Sequence, residues 1–149
     1  MEHCLEQGWV KAIGVSNYGP AHLEAMKEYA TYMPSVNQVE FNPWLQRPHL
    51  KQATEEAGAK LMAYSPLARG HKVDDPELGA IAERLGCTPA QVAIKFCYDE
   101  GCITIPKSSN PSRIIENLAS LDVDISSEMD AIRALECNYV SGWDPTTQP

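Results

Sequence analysis

The sequence lacks the features that mark several protein classes. No stretch of its 149 residues approaches the roughly 20 consecutive apolar positions that a membrane-spanning helix needs, so a membrane span is not expected. The opening Met1-Glu2-His3-Cys4-Leu5-Glu6 has neither the basic start nor the apolar run of a secretory signal. The five cysteines (Cys4, Cys87, Cys97, Cys102 and Cys137) are odd in number, and no pair has C-x-x-C spacing. Neither a zinc ribbon nor a redox dithiol is therefore expected, and no metal site is predicted. The cysteines read as reduced, mostly buried thiols of a cytoplasmic protein. Basic residues are scarce, 12 Lys and Arg against 20 Asp and Glu, for a formal net charge of −8. Nucleic acid is thus not an expected partner, and any anion site has to be built locally from particular cations and backbone N–H groups. No Pro/Ser-rich linker divides the chain, which predicts one domain over residues 1–149 with an irregular polar tail at 138–149.

What the chain does have is 44% hydrophobic and 21% charged residues, the balance of a globular protein with a real core. Its pattern alternates short β-like runs with helical segments four times. The runs are Val10–Val15, Val36–Phe41, Lys60–Tyr64 and Cys102–Ile105. The helical segments run from Pro20 to about Tyr29, from Pro48 to Ala57 with Gly58 as its C-cap, from Pro76 to Leu85, and from Thr88 to Tyr98. A further helix starts at Asn110-Pro111, and a last one runs from Ser126 to about Leu135. Thr88-Pro89 and Asn110-Pro111 each combine a capping side chain with proline at the first helical position. Strands that alternate with helices demand a parallel sheet, because a parallel crossover needs a dozen or more residues. Four β/α units make either a small open α/β domain or half of a (β/α)₈ barrel, a complete example of which needs about 250 residues.

In such folds ligands bind at the carboxyl ends of the strands. The four runs end in Ser16-Asn17, in Gln38 with Glu40, in Tyr64-Ser65, and in Lys107-Ser108. Asn17 alone reads as a turn residue and Tyr64 alone as core packing; four polar sets at equivalent positions read together as a ligand face. After the fourth run, Arg113, Glu116 and Asn117 stand at i, i+3 and i+4 and share one helical face, while Ile114, Leu118 and Leu121 supply an apolar face for a barrel wall. Lys107 and the first-turn Arg113 converge on the helix N-terminus, where the dipole opposes a cation and favours an anion. A phosphate there offsets the cost of placing an arginine so early; a solvated Lys and Arg with Glu116 as partner is the plain alternative.

The segments Gly-Trp-Val-Lys-Ala-Ile-Gly-Val-Ser-Asn (8–17), Val-Asn-Gln-Val-Glu-Phe-Asn-Pro (36–43), Ala-Tyr-Ser-Pro-Leu (63–67) and Ile105–Asn117 together resemble successive motifs of the aldo-keto reductases, in that family's order, up to about Leu135. The resemblance implies the C-terminal half of a (β/α)₈ barrel, equivalent to strands five to eight plus an extra C-terminal helix. It implies NADP(H) as cofactor. Ser16, Asn17 and Gln38 match residues that hold the nicotinamide carboxamide, and Tyr64 matches the ring on which the nicotinamide stacks. Ser65 and Leu67 match pyrophosphate contacts. Lys107, Ser108 and Arg113 match the clamp on the adenosine 2′-phosphate, and Glu116 and Asn117 match adenine contacts. Trp44 and Trp143 are candidate apolar walls of the substrate pocket, or equally anchors against helices.

The family's catalytic Asp, Tyr, Lys and His have no counterpart in these segments. None of His3, His22, His49 and His71 sits at a strand end. The expected positions lie upstream of Met1, so the chain by itself is expected to hold cofactor without turnover. The full-length form is expected to reduce aldehydes or ketones to alcohols. The alternative is a non-catalytic half-barrel that binds nucleotide or a partner. Half a barrel leaves two sheet edges open, which makes self-association an expected liability.

Overall fold

The computed structural model describes residues 1–148. A short helix α1 (Glu2–Glu6) leads into β1 (Gly14–Ser16), α2 (Pro20–Met26), β2 (Val36–Glu40), α3 (Pro48–Glu56), β3 (Lys60–Tyr64), α4 (Pro76–Leu85), α5 (Pro89–Asp99), β4 (Ile103–Thr104), α6 (Pro111–Ala119) and α7 (Met129–Arg133). All strands are parallel, and their order in the sheet is β1-β2-β3-β4. Local chemistry sets the helix starts. Proline occupies the first turn of α2 through α6, and Asp75, Thr88 and Asn110 cap α4, α5 and α6 through side-chain oxygens that accept backbone N–H bonds.

Register decides which residues share a face. Ser16, Gln38, Met62 and Ile103 form one paired row, whereas Val39, Ala63 and Thr104 belong to the opposite face. That opposite face carries the core, where Val39, Leu61 and Ala63 pack with Leu78, Ile81, Val92, Phe96 and Ile132. Beyond the end of β2, the Phe41 ring stacks on Phe96 with centroids 6.1 Å apart, and the buried Cys97 thiol donates to the Phe41 carbonyl. The face with Ser16 and Gln38 stays partly open: Gln38, Met62 and Tyr64 are half-buried, and Ile103 and Ile105 are exposed. Among the described residues, no helix is long and apolar enough to cross a membrane.

The structure corrects several expected bounds. The first strand begins at Gly14 rather than Val10, because β2 starts at Val36 and offers no partner to earlier residues. Trp9 and Val10 instead turn their N–H groups onto the Cys4 carbonyl at the end of α1. The fourth strand shrinks to Ile103–Thr104, where β3 offers Met62 and Ala63 as partners. The last helix is split into a 3₁₀ turn at Ser126–Glu128 and α7, with Glu128 pinned to Arg84 by two hydrogen bonds. Ile114 and Leu118 on α6 and Leu121 in the 3₁₀ turn after it are all exposed, Leu118 by 69%. Together with Ile103 they line an open groove of about 730 Å³ along the β4 edge. Of the thiols, Cys97 and Cys102 are buried, Cys4 and Cys87 half-buried, and Cys137 exposed.

Candidate functional site

The carboxyl ends of the first three strands are tied into one hydrogen-bonded row. Ser16 donates its hydroxyl to the Gln38 carbonyl at 2.9 Å, and the Asn17 N–H reaches the same carbonyl at 2.9 Å. Tyr64 on β3 donates its phenol to the Asn17 side-chain oxygen at 3.1 Å, and the Gln38 amide meets the Met62 sulfur. Asn17 is held left-handed at φ 61°, a conformation asparagine tolerates better than most residues. Four of the residues singled out in the sequence are thus brought together.

Tyr64 is held in its protonated form. Burial pushes its phenol above the ordinary tyrosine range and the nearby Glu40 carboxylate adds to this, against the opposing guanidinium charges of Arg47 and Arg69.

Beyond β3 the backbone turns sharply through left-handed Ser65, Ala68 and Arg69, at φ 49°, 46° and 56°. Leu67 lies inside this turn against the core and accepts the Gly70 N–H, while the Ser65 carbonyl accepts from Asn42.

The segment after β4 is open. Lys107 and Arg113 are exposed and form no ion pair among the described residues. Ser108 closes a local turn with Asn110, whose side chain caps α6. The face shared by Arg113, Glu116 and Asn117 is unevenly covered. Glu116 accepts the Thr88 hydroxyl at 2.7 Å, and Asn117 is buried beside Ser120.

The two tryptophans part company. Trp44 is 2% exposed, and its indole N–H donates to Asp75 at 3.1 Å, so it anchors the core against the start of α4 and forms no pocket wall. Trp143, 69% exposed, stands in the tail.

Other residues around the row carry structural weight, and of these only Glu40 is signalled by its place at a strand end. Asn37 is fully buried, bonded through its side chain to both the N–H and carbonyl of Tyr18 and to the Thr54 hydroxyl, and so fixes the loop after β1. The Glu40 carboxylate, 2% exposed, accepts the Ser141 N–H at 3.1 Å. Arg47, left-handed at φ 45°, binds the Glu40 carbonyl, the Asp144 carboxylate and the Thr146 hydroxyl at 2.9–3.0 Å. No cluster of three or more metal-ligating side chains occurs among the described residues.

The sequence profile described as "Aldo/keto reductase family" matches residues 1–136. The chain belongs to the aldo/keto reductase family. Among relatives in this family, aldose reductase B of Dictyostelium discoideum is 43% identical over 141 residues, which cover 93% of this chain and 45% of that protein. Glyoxal reductase of Bacillus subtilis strain 168 is 40% identical over 146 residues, covering 97% of this chain and 53% of that protein. The crystal structure of Gox0644 in its apo form superposes with a TM-score of 0.90 at 36% identity, over 99% of this chain and 55% of that one. MGS-M4, an aldo-keto reductase from a deep-sea metagenome library of the Medee basin, superposes equally well at 32% identity, over 99% of this chain and 57% of that one. The chain spans about half the length of the aldo/keto reductases it matches, and its parallel α/β sheet corresponds to part of theirs.

Proposed function

We propose that this chain is the NADP(H)-binding half of a cytoplasmic carbonyl reductase, equivalent to strands five to eight of a (β/α)₈ barrel, and that alone it binds cofactor without turnover. The observation that carries the reading is the row Ser16–Gln38–Asn17–Tyr64. It places amide, hydroxyl and aromatic groups side by side on the open face at the carboxyl ends of three strands. Relatives named aldose reductase and glyoxal reductase support carbonyl reduction as the activity of the whole enzyme.

The donor set fits the cofactor. Ser16, Asn17 and Gln38 would hold the carboxamide, Tyr64 would offer its ring to the nicotinamide, and Ser65 and Leu67 would meet the pyrophosphate. Lys107, Ser108 and Arg113 would receive the 2′-phosphate, with Glu116 and Asn117 near the adenine. Two cations free of ion pairs suit a dianion, whereas a 2′-hydroxyl would favour an acidic partner. The bound cofactor would supply a hydride to the carbonyl carbon. Tyr64 is committed to Asn17 and held protonated, which keeps the row neutral where the carboxamide would sit. No acid for the carbonyl oxygen is assigned among this chain's residues, and Trp143 would contribute an apolar wall for the substrate.

Titration of wild type and Arg113→Ala with NADPH and NADH, followed by cofactor fluorescence, tests the reading. Arg113→Ala is expected to weaken NADPH by about 2 kcal/mol, the scale of a lost charged hydrogen bond, and to leave NADH nearly unchanged. Equal losses for both cofactors would rule out the 2′-phosphate role. NADPH oxidation by a simple aldehyde should not exceed the buffer blank; turnover abolished by Tyr64→Phe would overturn the expectation of inactivity.

A further inference from the structure

We propose that residues 138–148 form a strap that fixes the loops after β1, β2 and β3 relative to one another, with Arg47 as its positioning residue, so that strap docking and occupancy of the strand-end site are coupled. The tail lacks regular structure apart from a 3₁₀ turn at Pro145–Thr147, yet it is anchored along its length. The Tyr139 N–H donates to the Trp44 carbonyl at 2.9 Å, and the Ser141 N–H to the buried Glu40 carboxylate. Gly142 lies flat on the Arg69 guanidinium, so closely that a Cβ there would stand 3.2 Å from its central carbon. Asp144 and Thr146 both bind Arg47. At the far end, the Thr146 carbonyl occupies the space a Cβ on Gly19 would need, and His22 meets the Gln148 carbonyl at 2.6 Å. One segment therefore touches Gly19 before α2 and His22 in its first turn, Glu40 at the end of β2 with Trp44 and Arg47 in the loop beyond it, and Arg69 in the loop after β3.

Arg47 is the hub of this arrangement. Its guanidinium is largely buried and joins the Glu40 carbonyl at the end of β2 to two strap residues. Its left-handed backbone is a conformation that persists only where the surroundings enforce it, and such residues gather at functional clamps. Asn17 and Ser65, both also left-handed, stand on loops that the strap bridges. A ligand that needs these loops in their strapped positions stabilises the strap, and by reciprocity the docked strap favours the ligand.

Amide hydrogen exchange on the full chain tests the inference without any ligand. Arg47→Ala is expected to speed exchange about tenfold or more in residues 139–148, as befits loss of a charge-assisted contact, and also in residues 17–19 and 65–70, with α5 unchanged. Arg47→Lys, which keeps the charge but not the fork of donors, should fall between. Faster exchange confined to the tail would show a passenger segment and overturn the proposal, as would no change at all. Should Arg47→Ala lose its near-UV circular dichroism, Asp144→Asn and Thr146→Val each remove one strap contact and are read in the same way. The coupling rests on the proposed cofactor reading and has its own arm, in which NADPH added to wild type should slow exchange in 139–148. Fluorescence-detected binding without that protection would overturn the coupling. Absence of NADPH binding would count against the cofactor reading, while the ligand-free arm still decides the strap.

Discussion

Tyr64 shows how much one side chain of this site depends on its surroundings. Its phenol is raised by burial first and by the Glu40 charge second, with Arg47 and Arg69 pulling the other way. A folded-state value above the unfolded one means that the folded chain holds this proton more tightly. The resulting stability is fully present below the ordinary tyrosine value of 10.0 and is lost as pH rises through the higher folded value. Wild type is therefore expected to lose thermal stability more steeply than Tyr64→Phe on passing pH 10.0. Parallel curves for the two proteins would remove the assigned environment. The residues of the row were legible in the sequence because β/α topology brings successive strand ends together whatever lies between them. Arg47 and Asp144 were not, since they stand 97 residues apart and a pairing at that distance leaves no periodic trace. The role of Trp44 is open in the sequence for a related reason: its position after a strand suits a pocket wall and a helix anchor alike, and the distant Asp75 carboxylate that takes its indole N–H favours the anchor.

At the scale of elements, helices with strong local starts agree with the sequence. The fourth, Pro76–Leu85, has the expected bounds, and α5 begins at Pro89 behind its Thr88 cap. Thr88 does two jobs. Its hydroxyl oxygen accepts the Gln91 N–H while its proton goes to Glu116 on α6, and Gln91 returns a bond to the Thr88 N–H. Thr88→Ala is expected to cost about 1 kcal/mol, seen as a lower urea midpoint with an unchanged slope. An unaltered midpoint would show that water replaces both contacts without penalty. Strand bounds were harder to read, because a strand ends where its neighbour ends. In Val10–Ile13 only the Ile13 carbonyl finds a cross-strand bond, from the Ser35 N–H just before β2, and Cys102 and Ile105 flank the short span where β4 meets β3.

Over the whole molecule, the sheet has two open edges, each beside exposed apolar side chains. Ile103, Ile105, Ile114, Leu118 and Leu121 lie along β4 and α6, and Trp9, Tyr29 and Tyr32 stand out on the segments flanking β1 and following α2. Patches of this kind favour association, and a copy whose β1 lies beside β4 would keep every strand parallel. Sedimentation equilibrium is expected to show concentration-dependent association that Leu118→Lys weakens. A strictly monomeric species with a sharp near-UV spectrum would mean that the edges are tolerated in isolation. The order β1-β2-β3-β4 is also the order of the chain, and this bears on how the molecule is made. A ribosome releases the N-terminus first, so each strand after β1 emerges to find a sheet neighbour already present, and Met62 pairs with a residue only 24 positions earlier. The tail is the exception. Ser141 must reach back 101 residues to Glu40. Its docking therefore follows the pairing of all four strands, and a nascent chain stalled before Tyr139 carries three strand ends joined by their own hydrogen bonds but not yet bridged by the strap.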